Sequence, residues 1–185
     1  MSDVVELILA DHTELKTVFE KLKTGDAGAR GLLVPLAASM LIAHSRAEES
    51  EVYPAVRDEA NDAEDVEHSQ EEHAGAELLL EELYDLDPAS AKFPSALNEL
   101  VEAVHHHMEE EEEKVLPAIR TGLSDTRREE LGAAFLTARR AHWGDEPGAA
   151  TKADLLIQAT NAGIEGASTM SKSQLKKALE QAAEM

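Results

Sequence analysis

Residues 44–54 read HSRAEESEVYP, and residues 107–117 read HMEEEEEKVLP. Both stretches fit the pattern H-x-x-x-E-E-x-x-V-[YL]-P, and they lie 63 residues apart. Two further histidines repeat at a similar distance, because an Asp-His dipeptide at positions 11–12 corresponds to a Glu-His dipeptide at positions 72–73. The chain is therefore predicted to contain two related helical hairpins, each with one lone histidine and one His-x-x-x-Glu pair.

The spacing of these residues predicts a shared metal site. A histidine and a glutamate four residues apart lie on the same face of a helix, one turn apart. Here each pair continues the apolar stripe of its helix, so the carboxylates would be buried, at a cost of several kcal/mol each as a rough figure. Two bound metal ions would remove that cost, and nitrogen and oxygen ligands without sulfur favour iron or manganese over structural zinc. The predicted ligands are His12, His44, Glu48, His73, His107 and Glu111, with both glutamates bridging.

Composition and periodicity predict an all-α fold. Aromatic residues make up only 3 % of the chain, whereas the strong helix formers Ala, Leu and Glu dominate it. Apolar residues recur at steps of three and four. We therefore expect an up-down-up-down four-helix bundle with a fifth helix across one end or side. The predicted helices cover residues of about 2–23, 28–58, 62–84, 94–121 and 124–143.

The sequence changes character after residue 143. Residues 144–150 read GDEPGAA and are predicted to be a linker. Residues 151–185 predict a small module of two short helices, which follows a bundle of residues 1–143. Since a linker implies few contacts, removal of the module is expected to leave metal content and melting of the bundle nearly unchanged.

Charge and cysteine content exclude several function classes. Lys and Arg number 17 against 38 Asp and Glu, a net charge of −21, and all of this excess lies before the neutral segment 151–185. Such a charge argues against a general nucleic-acid surface. The chain has no cysteine, which excludes disulfides, thiolate catalysis and iron–sulfur clusters. No apolar run reaches the roughly 18–20 residues of a membrane span, and the acidic start is unlike a signal peptide, so we expect a cytoplasmic protein.

On these motifs, residues of roughly 1–120 resemble the hemerythrin-like (HHE) family. That family is a four-helix bundle with a non-haem diiron centre, which implies two iron ions here with an oxide or hydroxide bridge. Oxygen-carrying members have two histidines one turn apart in the third helix. At that spacing His73 is flanked by Ser69 and Glu77. This departure predicts that the chain is not a reversible oxygen carrier.

The resemblance implies reactivity toward small oxidants: hydrogen peroxide, O2 or NO. We predict catalase- or peroxidase-like consumption of peroxide in stress protection, because two irons together can exchange two electrons. A sensor of O2, NO or redox state and an iron storage or delivery protein are the alternatives. The segment from Thr151 to Leu179 also resembles the small helical module of Rho termination factors. We nevertheless expect no membrane or nucleic-acid partner, and a monomer or a dimer.

Several other residues have two interpretations. Glu77, one turn after His73, is either a further ligand or a hydrogen-bond acceptor for an imidazole. Tyr53 lies nearly opposite His44 on an ideal helix, so it would reach the metal only through a distorted turn before Pro54. Within the acidic run 109–113 only Glu111 has the phase of a ligand. The remaining histidines are predicted to have surface or packing roles: His68, His105, His106 and His142.

Overall fold

The computed structural model describes residues 2–60 and 62–184, and these residues form helices without any strand. The prediction of an all-α fold is confirmed. The helices are α1 (Val4–Thr24), α2 (Ala27–Ala47), α3 (Tyr53–Glu59), α4 (Ala63–Asp85), α5 (Phe93–Glu113), α6 (Val115–Gly122), α7 (Asp125–Ala141), α8 (Lys152–Asn161) and α9 (Lys172–Ala183). A π-helical turn (Glu48–Val52) joins α2 to α3, and a 3-10 turn (Ala167–Thr169) lies between α8 and α9.

Side-chain caps set the starts of the helices. Asp3 accepts a hydrogen bond from the backbone N–H of Val5 at the start of α1, and Asp26 accepts one from Ala29 at the start of α2. Ser124 caps α7 in the same way. Such caps satisfy backbone donors that have no partner within the helix.

The four long helical segments of the bundle bury two separate apolar clusters. One cluster lies around Phe19, Leu80 and Leu100, and the other lies around Tyr53 and Ile119 at the opposite end. Along each long segment, the predicted metal ligands lie between the residues of one cluster and those of the other. The bundle therefore encloses a polar layer between the two apolar clusters.

Two predicted helices are interrupted where the sequence suggested continuous ones. The segment 28–58 contains the π-helical turn, and the segment 94–121 breaks at Lys114, whose φ of −117° lies outside the helical range. Both breaks come shortly before a proline, Pro54 or Pro117, whose ring clashes with the carbonyl of the residue four positions earlier. The extra residue of a π turn also changes the phase of the helix, and the Tyr53 ring is fully buried.

The helices after the bundle pack against it. Helix α7 lies along α1 and α2. Helices α8 and α9 share a small core that includes Leu155, Leu175 and Leu179, and α9 packs along α4. The expectation that residues 151–185 make few contacts with the bundle is wrong. A separate core is too small to stabilise this module alone, so it uses the surface of α4.

One helical stretch, Ala27–Glu59, is long and apolar enough to span a membrane by length and composition alone. In this fold it is a core helix of the bundle, and it carries the buried side chains of His44, Arg46 and Glu48. These buried polar groups face other helices, as in the core of a water-soluble bundle. The cytoplasmic location stays a prediction.

Candidate metal centre

All six predicted ligands lie together in the polar layer between the two apolar clusters. Each of them is at most 5 % exposed. They form two groups in which the possible ligand atoms lie within 4.8 Å of one another, and Glu48 belongs to both groups. The first group is His12, His44, Glu48 and Glu111, and the second is Glu48, His73 and His107.

Each carboxylate lies between one histidine of the first group and one histidine of the second. This is the position that a carboxylate needs in order to bridge two ions. The Nε2-to-Oε2 distances are 3.2 Å (His44 to Glu48), 3.5 Å (His73 to Glu48), 3.3 Å (His12 to Glu111) and 4.0 Å (His107 to Glu111).

The hydrogen bonding of this layer is incomplete in the way that a metal would complete it. Among the described residues, eight buried side-chain atoms have no hydrogen-bond partner, and six of them belong to this layer: Nε2 of His12 and of His44, and both carboxylate oxygens of Glu48 and Glu111. A buried polar atom without a partner costs about 1–3 kcal/mol, and more when it is charged. Nε2 of His73 and Nε2 of His107 lie 2.9 Å apart. Two imidazole nitrogens at right angles on one metal lie about 3 Å apart, so the donor set fits bound cations.

The outer nitrogen of every one of these histidines meets a carboxylate. Donation of the Nδ1 proton to an acid fixes the tautomer and leaves Nε2 with a free lone pair for a metal. The four contacts join His12 to Glu112 (2.9 Å), His44 to Asp11 (3.3 Å), His73 to Glu49 (3.3 Å) and His107 to Glu72 (2.9 Å).

These four acids were not among the predicted site residues, although the sequence repeat contains a signal for them. Asp11 and Glu72 each precede a lone histidine and contact the other histidine of the same hairpin. Glu49 and Glu112 each follow a bridging glutamate and contact the lone histidine of the other hairpin. The acidic positions of both motifs are thereby accounted for as imidazole acceptors.

Comparison with known proteins agrees with this geometry. The hemerythrin HHE cation binding domain matches residues 3–119, which hold all six ligands and all four acids that contact them. The chain belongs to the hemerythrin HHE cation-binding family. A DNA nickase of Nostoc sp. strain PCC 7120 is 26 % identical over 138 residues, which are 74 % of this chain and 39 % of that relative. The chain thus spans well under half of the relative's length. No solved structure matches.

Electrostatics in this HHE centre differ between the two inner carboxylates, since burial opposes the ionisation of Glu111 but contact with His12 and the charge of His107 hold its pKa at about 2. Burial, with the nearby charge of Glu111, raises the pKa of Glu48 well above its usual value. Burial also lowers the pKa of His44 to about 4, which keeps the imidazole in its neutral, metal-binding form. Burial opposes the ionisation of Glu49, but the Arg46 guanidinium and contact with His73 hold its pKa at about 2. Glu49 is therefore an ionised acceptor for the Nδ1 proton of His73.

The sequence left the roles of Tyr53 and Glu77 open, and of these two side chains Tyr53 reaches the centre of this hemerythrin-like protein. The hydroxyl oxygen of Tyr53 lies 3.1 Å from Nε2 of His73, and the π-helical turn is the distorted turn that this placement requires. The Glu77 carboxylate instead pairs with Arg46 at 2.6 Å and accepts a hydrogen bond from the backbone N–H of Gly148. It therefore makes no contact with His73.

A further polar network surrounds Glu49 and includes two residues from the C-terminal module. Gln158 of α8 donates to Oε2 of Glu49 at 3.1 Å, and Gln70 donates to Oε1 at 3.0 Å. Asn161 donates to the backbone carbonyl of Glu49 at 2.9 Å and to the amide oxygen of Gln70 at 3.0 Å. No sequence pattern indicated the contacts of Gln158 and Asn161, because they join residues more than 90 positions apart.

Another contact links α7 to the centre. Nε of Arg139 lies 2.9 Å from Oδ2 of Asp11, the oxygen that also faces His44. Helices α7 and α8 lie outside the matched family domain, and each contributes one side chain that holds an imidazole acceptor. The outer helices therefore support the histidines on two sides of the layer.

Proposed function

We propose that this HHE protein holds two iron ions at its six central ligands and reacts with small oxidants, hydrogen peroxide above all. The observation that supports this most is the set of six buried, unpartnered nitrogen and oxygen atoms between two apolar clusters. Donors of this kind without sulfur suit iron. Two iron ions together exchange two electrons, the number needed to convert two molecules of hydrogen peroxide into O2 and two of water.

The protein's own residues would bind and orient the ions and exclude water. The four Nε2 atoms and the two carboxylates hold the cations, and the four outer acids hold the imidazole rings in place. The apolar clusters above and below keep the layer dry, which strengthens electrostatic interactions there. Tyr53 holds a proton at its hydroxyl oxygen beside His73, since burial raises the pKa of this phenol, and the protonated hydroxyl can donate a hydrogen bond in the site.

We further propose that the protein does not carry oxygen reversibly. The histidines and carboxylates of the two groups are nearly symmetric, since each group offers two imidazoles beside the same two carboxylates, although the Tyr53 hydroxyl lies beside the second group alone among the described residues. The buried Ser69 lies where oxygen carriers have a further histidine. Symmetric ions leave room for an oxidant at both, whereas a carrier needs one closed and one open ion.

Metal analysis together with oxidant reactions tests this proposal. We expect two iron atoms per chain with near-ultraviolet charge-transfer absorption. The reduced protein in air should convert directly to the oxidised form, which should then consume added hydrogen peroxide. A visible band that disappears under argon and returns with air would contradict the proposal, as would fewer than two irons per chain or inertness toward peroxide. His44→Ala should lose at least one iron, whereas the matched surface variant His142→Ala should keep both.

A redox or gas sensor is a second candidate, and the docked C-terminal module favours it. Gln158 and Asn161 contact Glu49 directly, so a change at His73 can reach helix α8 through one side chain. Slow peroxide consumption together with a change in proteolysis of residues 144–185 on oxidation would favour the sensor. Rapid consumption with an unchanged digestion pattern would favour the enzyme.

The name of the Nostoc relative suggests a test with DNA, although the present chain gives it little physical support. The net charge of −21 repels phosphates, and the alignment covers only 39 % of that nickase. We propose a cytoplasmic protein whose partners are small oxidants rather than nucleic acid. Nicking of supercoiled plasmid by the iron-loaded protein, lost in His44→Ala, would contradict this view.

A further inference from the structure

A second set of His-x-x-x-Glu pairs lies outside the buried centre. Residues 68–72 read HSQEE on α4, and residues 106–110 read HHMEE on α5. Each stretch places its first and last residue on one face of its helix, one turn apart. Helices α4 and α5 pack along each other, so the two pairs meet at the surface.

The four side chains form a ring of alternating nitrogen and oxygen donors, in which the donor atoms of His68, Glu72 and Glu110 all lie within 4.8 Å of one another and His106 adjoins both carboxylates. Ligands about 2.0–2.1 Å from a tetrahedral metal lie about 3.4 Å from one another, and the separations in this ring are close to that value. They are 3.1 Å (His68 Nε2 to Glu110 Oε2), 3.7 Å (His68 Nε2 to Glu72 Oε1), 3.6 Å (His106 Nε2 to Glu72 Oε1) and 3.7 Å (His106 Nε2 to Glu110 Oε1).

Exposure and charge suit a cation that comes from solvent. The histidine side chains are 50 % and 65 % exposed, whereas the two carboxylates are 14 % and 26 % exposed and held by their helices. The ammonium group of Lys114 lies 2.9 Å from Glu110, and its side chain is 44 % exposed, so it can move into solvent when a metal ion replaces it. The strongly negative chain also raises the local concentration of cations.

This surface ring touches the support of the buried centre at one carboxylate. Oε1 of Glu72 faces His68 and His106, while Oε2 accepts the hydrogen bond from Nδ1 of His107. The two sites therefore share a side chain but no ligand atom. A metal ion in the ring would lie outside the bundle, beside one of the buried imidazoles.

We propose that His68, Glu72, His106 and Glu110 form a separate surface site for one divalent transition-metal ion, of the class that two imidazoles and two carboxylates bind. The site has ligands of its own, because none of its four residues belongs to the six central ligands. It adds one ion to the capacity of each chain.

Zinc titration of the iron-loaded, desalted protein by calorimetry tests this site. We expect one Zn²⁺ per chain in addition to the bound iron. The double variant His68→Ala/His106→Ala should weaken this binding at least tenfold and keep its iron. The matched double variant His105→Ala/His142→Ala removes two histidines elsewhere and should leave zinc binding unchanged.

A third protein separates this site from the buried centre. His44→Ala, in which the buried site is impaired, should still bind the surface Zn²⁺. Loss of the additional zinc in His44→Ala would mean that the ion had entered the buried centre, and the surface site would be disproved. Absence of additional zinc in the unaltered protein, or equal weakening in both double variants, would also overturn the proposal.

Discussion

The outer carboxylates decide, residue by residue, how firmly each imidazole is held. Glu49 is 1 % exposed and is held by Arg46, Gln70 and Gln158, whereas the Glu112 side chain is 35 % exposed and, among the described residues, pairs with His12 and Lys16 alone. Water can replace an acceptor that is partly exposed, whereas it cannot reach the place of an acceptor that is buried. The two halves of the centre are therefore related by the sequence repeat but differ in rigidity.

Neutralisation of Glu49 should consequently do more harm than neutralisation of Glu112. We expect Glu49→Gln to weaken iron retention about 10–100-fold, because Arg46 and His73 both lose a charged partner. Glu112→Gln should have a clearly smaller effect. Competition with a chelator measures the retention, and Glu113→Gln is the control, since that side chain lies at the surface beside Glu112. Equal losses in Glu49→Gln and Glu112→Gln would refute the difference in rigidity.

Removal of the Tyr53 hydroxyl separates hydrogen bonding in the site from metal binding. We expect Tyr53→Phe to retain both irons and to reduce peroxide consumption about 100-fold, the effect of losing a fixed hydrogen-bond donor in a dry site. Iron analysis and oxygen release measure the two quantities. Tyr84→Phe, with its half-buried ring far along α4, is the matched control. Full activity of Tyr53→Phe would show that its hydroxyl has no role in the reaction.

Helical segments respond to substitution according to what lies beside them. A Cβ atom on Gly132 of α7 would overlap the backbone carbonyl of Ser2, whereas a Cβ on Gly31 of α2 would have its nearest such neighbour at 3.9 Å, in Pro88. We expect Gly132→Ala to destabilise the protein by about 1–2 kcal/mol despite its better helix propensity. Gly31→Ala should instead stabilise it by about 0.5–1 kcal/mol. Urea unfolding measures both changes, and a shift of the same sign for both would contradict this account of α7 packing.

Helix α8 contacts the metal centre, although the sequence predicted that its module would make few contacts. Deletion of residues 145–185 would expose Glu49 and Gln70, so we now expect it to lower both the melting temperature and iron retention. The double variant Gln158→Leu/Asn161→Leu should reproduce the loss of iron retention in the full chain. Lys176→Ala, which removes only a surface contact with Glu81, is the control. Unchanged iron retention in the deletion would show that the module merely rests on the bundle.

At the scale of the whole molecule, the polar layer lowers the stability of the folded protein until cations bind in it. Two nearly inaccessible carboxylates, those of Glu48 and Glu111, each face two histidines of the layer and form no hydrogen bond with any described residue. A ligand that binds only the folded state stabilises it. We expect removal of metal by a chelator to lower the melting temperature by about 10 °C, the shift that about 3 kcal/mol produces in a protein of this size.

The control for metal removal is a chain without the buried charges. Glu48→Gln/Glu111→Gln should bind little iron and should melt at nearly the same temperature with and without chelator. Calorimetric scans of the two proteins, each with and without metal, give the four values that are needed. A metal-free wild type that melts as high as the loaded protein would show that the layer is satisfied without cations.

The sequence by itself determined the helices, the two-hairpin repeat and the six residues that meet in the polar layer. It could do so because a helix fixes which residues share a face, and because a His-x-x-x-Glu pair on an apolar stripe must point inward. The same local rules carried no information on the break before Pro54, since they assume one continuous helical phase. They also left the acceptors of the four imidazoles unassigned.

Only the tertiary structure decided which side chains surround the ligands. Tyr53 turns inward because a π-helical turn shifts its phase, and Glu77 turns to Arg46 because that guanidinium is buried nearby. Gln158 meets Glu49 across 109 residues of sequence. Such contacts depend on how whole helices dock, and docking is set by the sum of many weak contacts rather than by any local pattern. The module after the linker therefore belongs to the metal centre for a reason that only the packed chain contains.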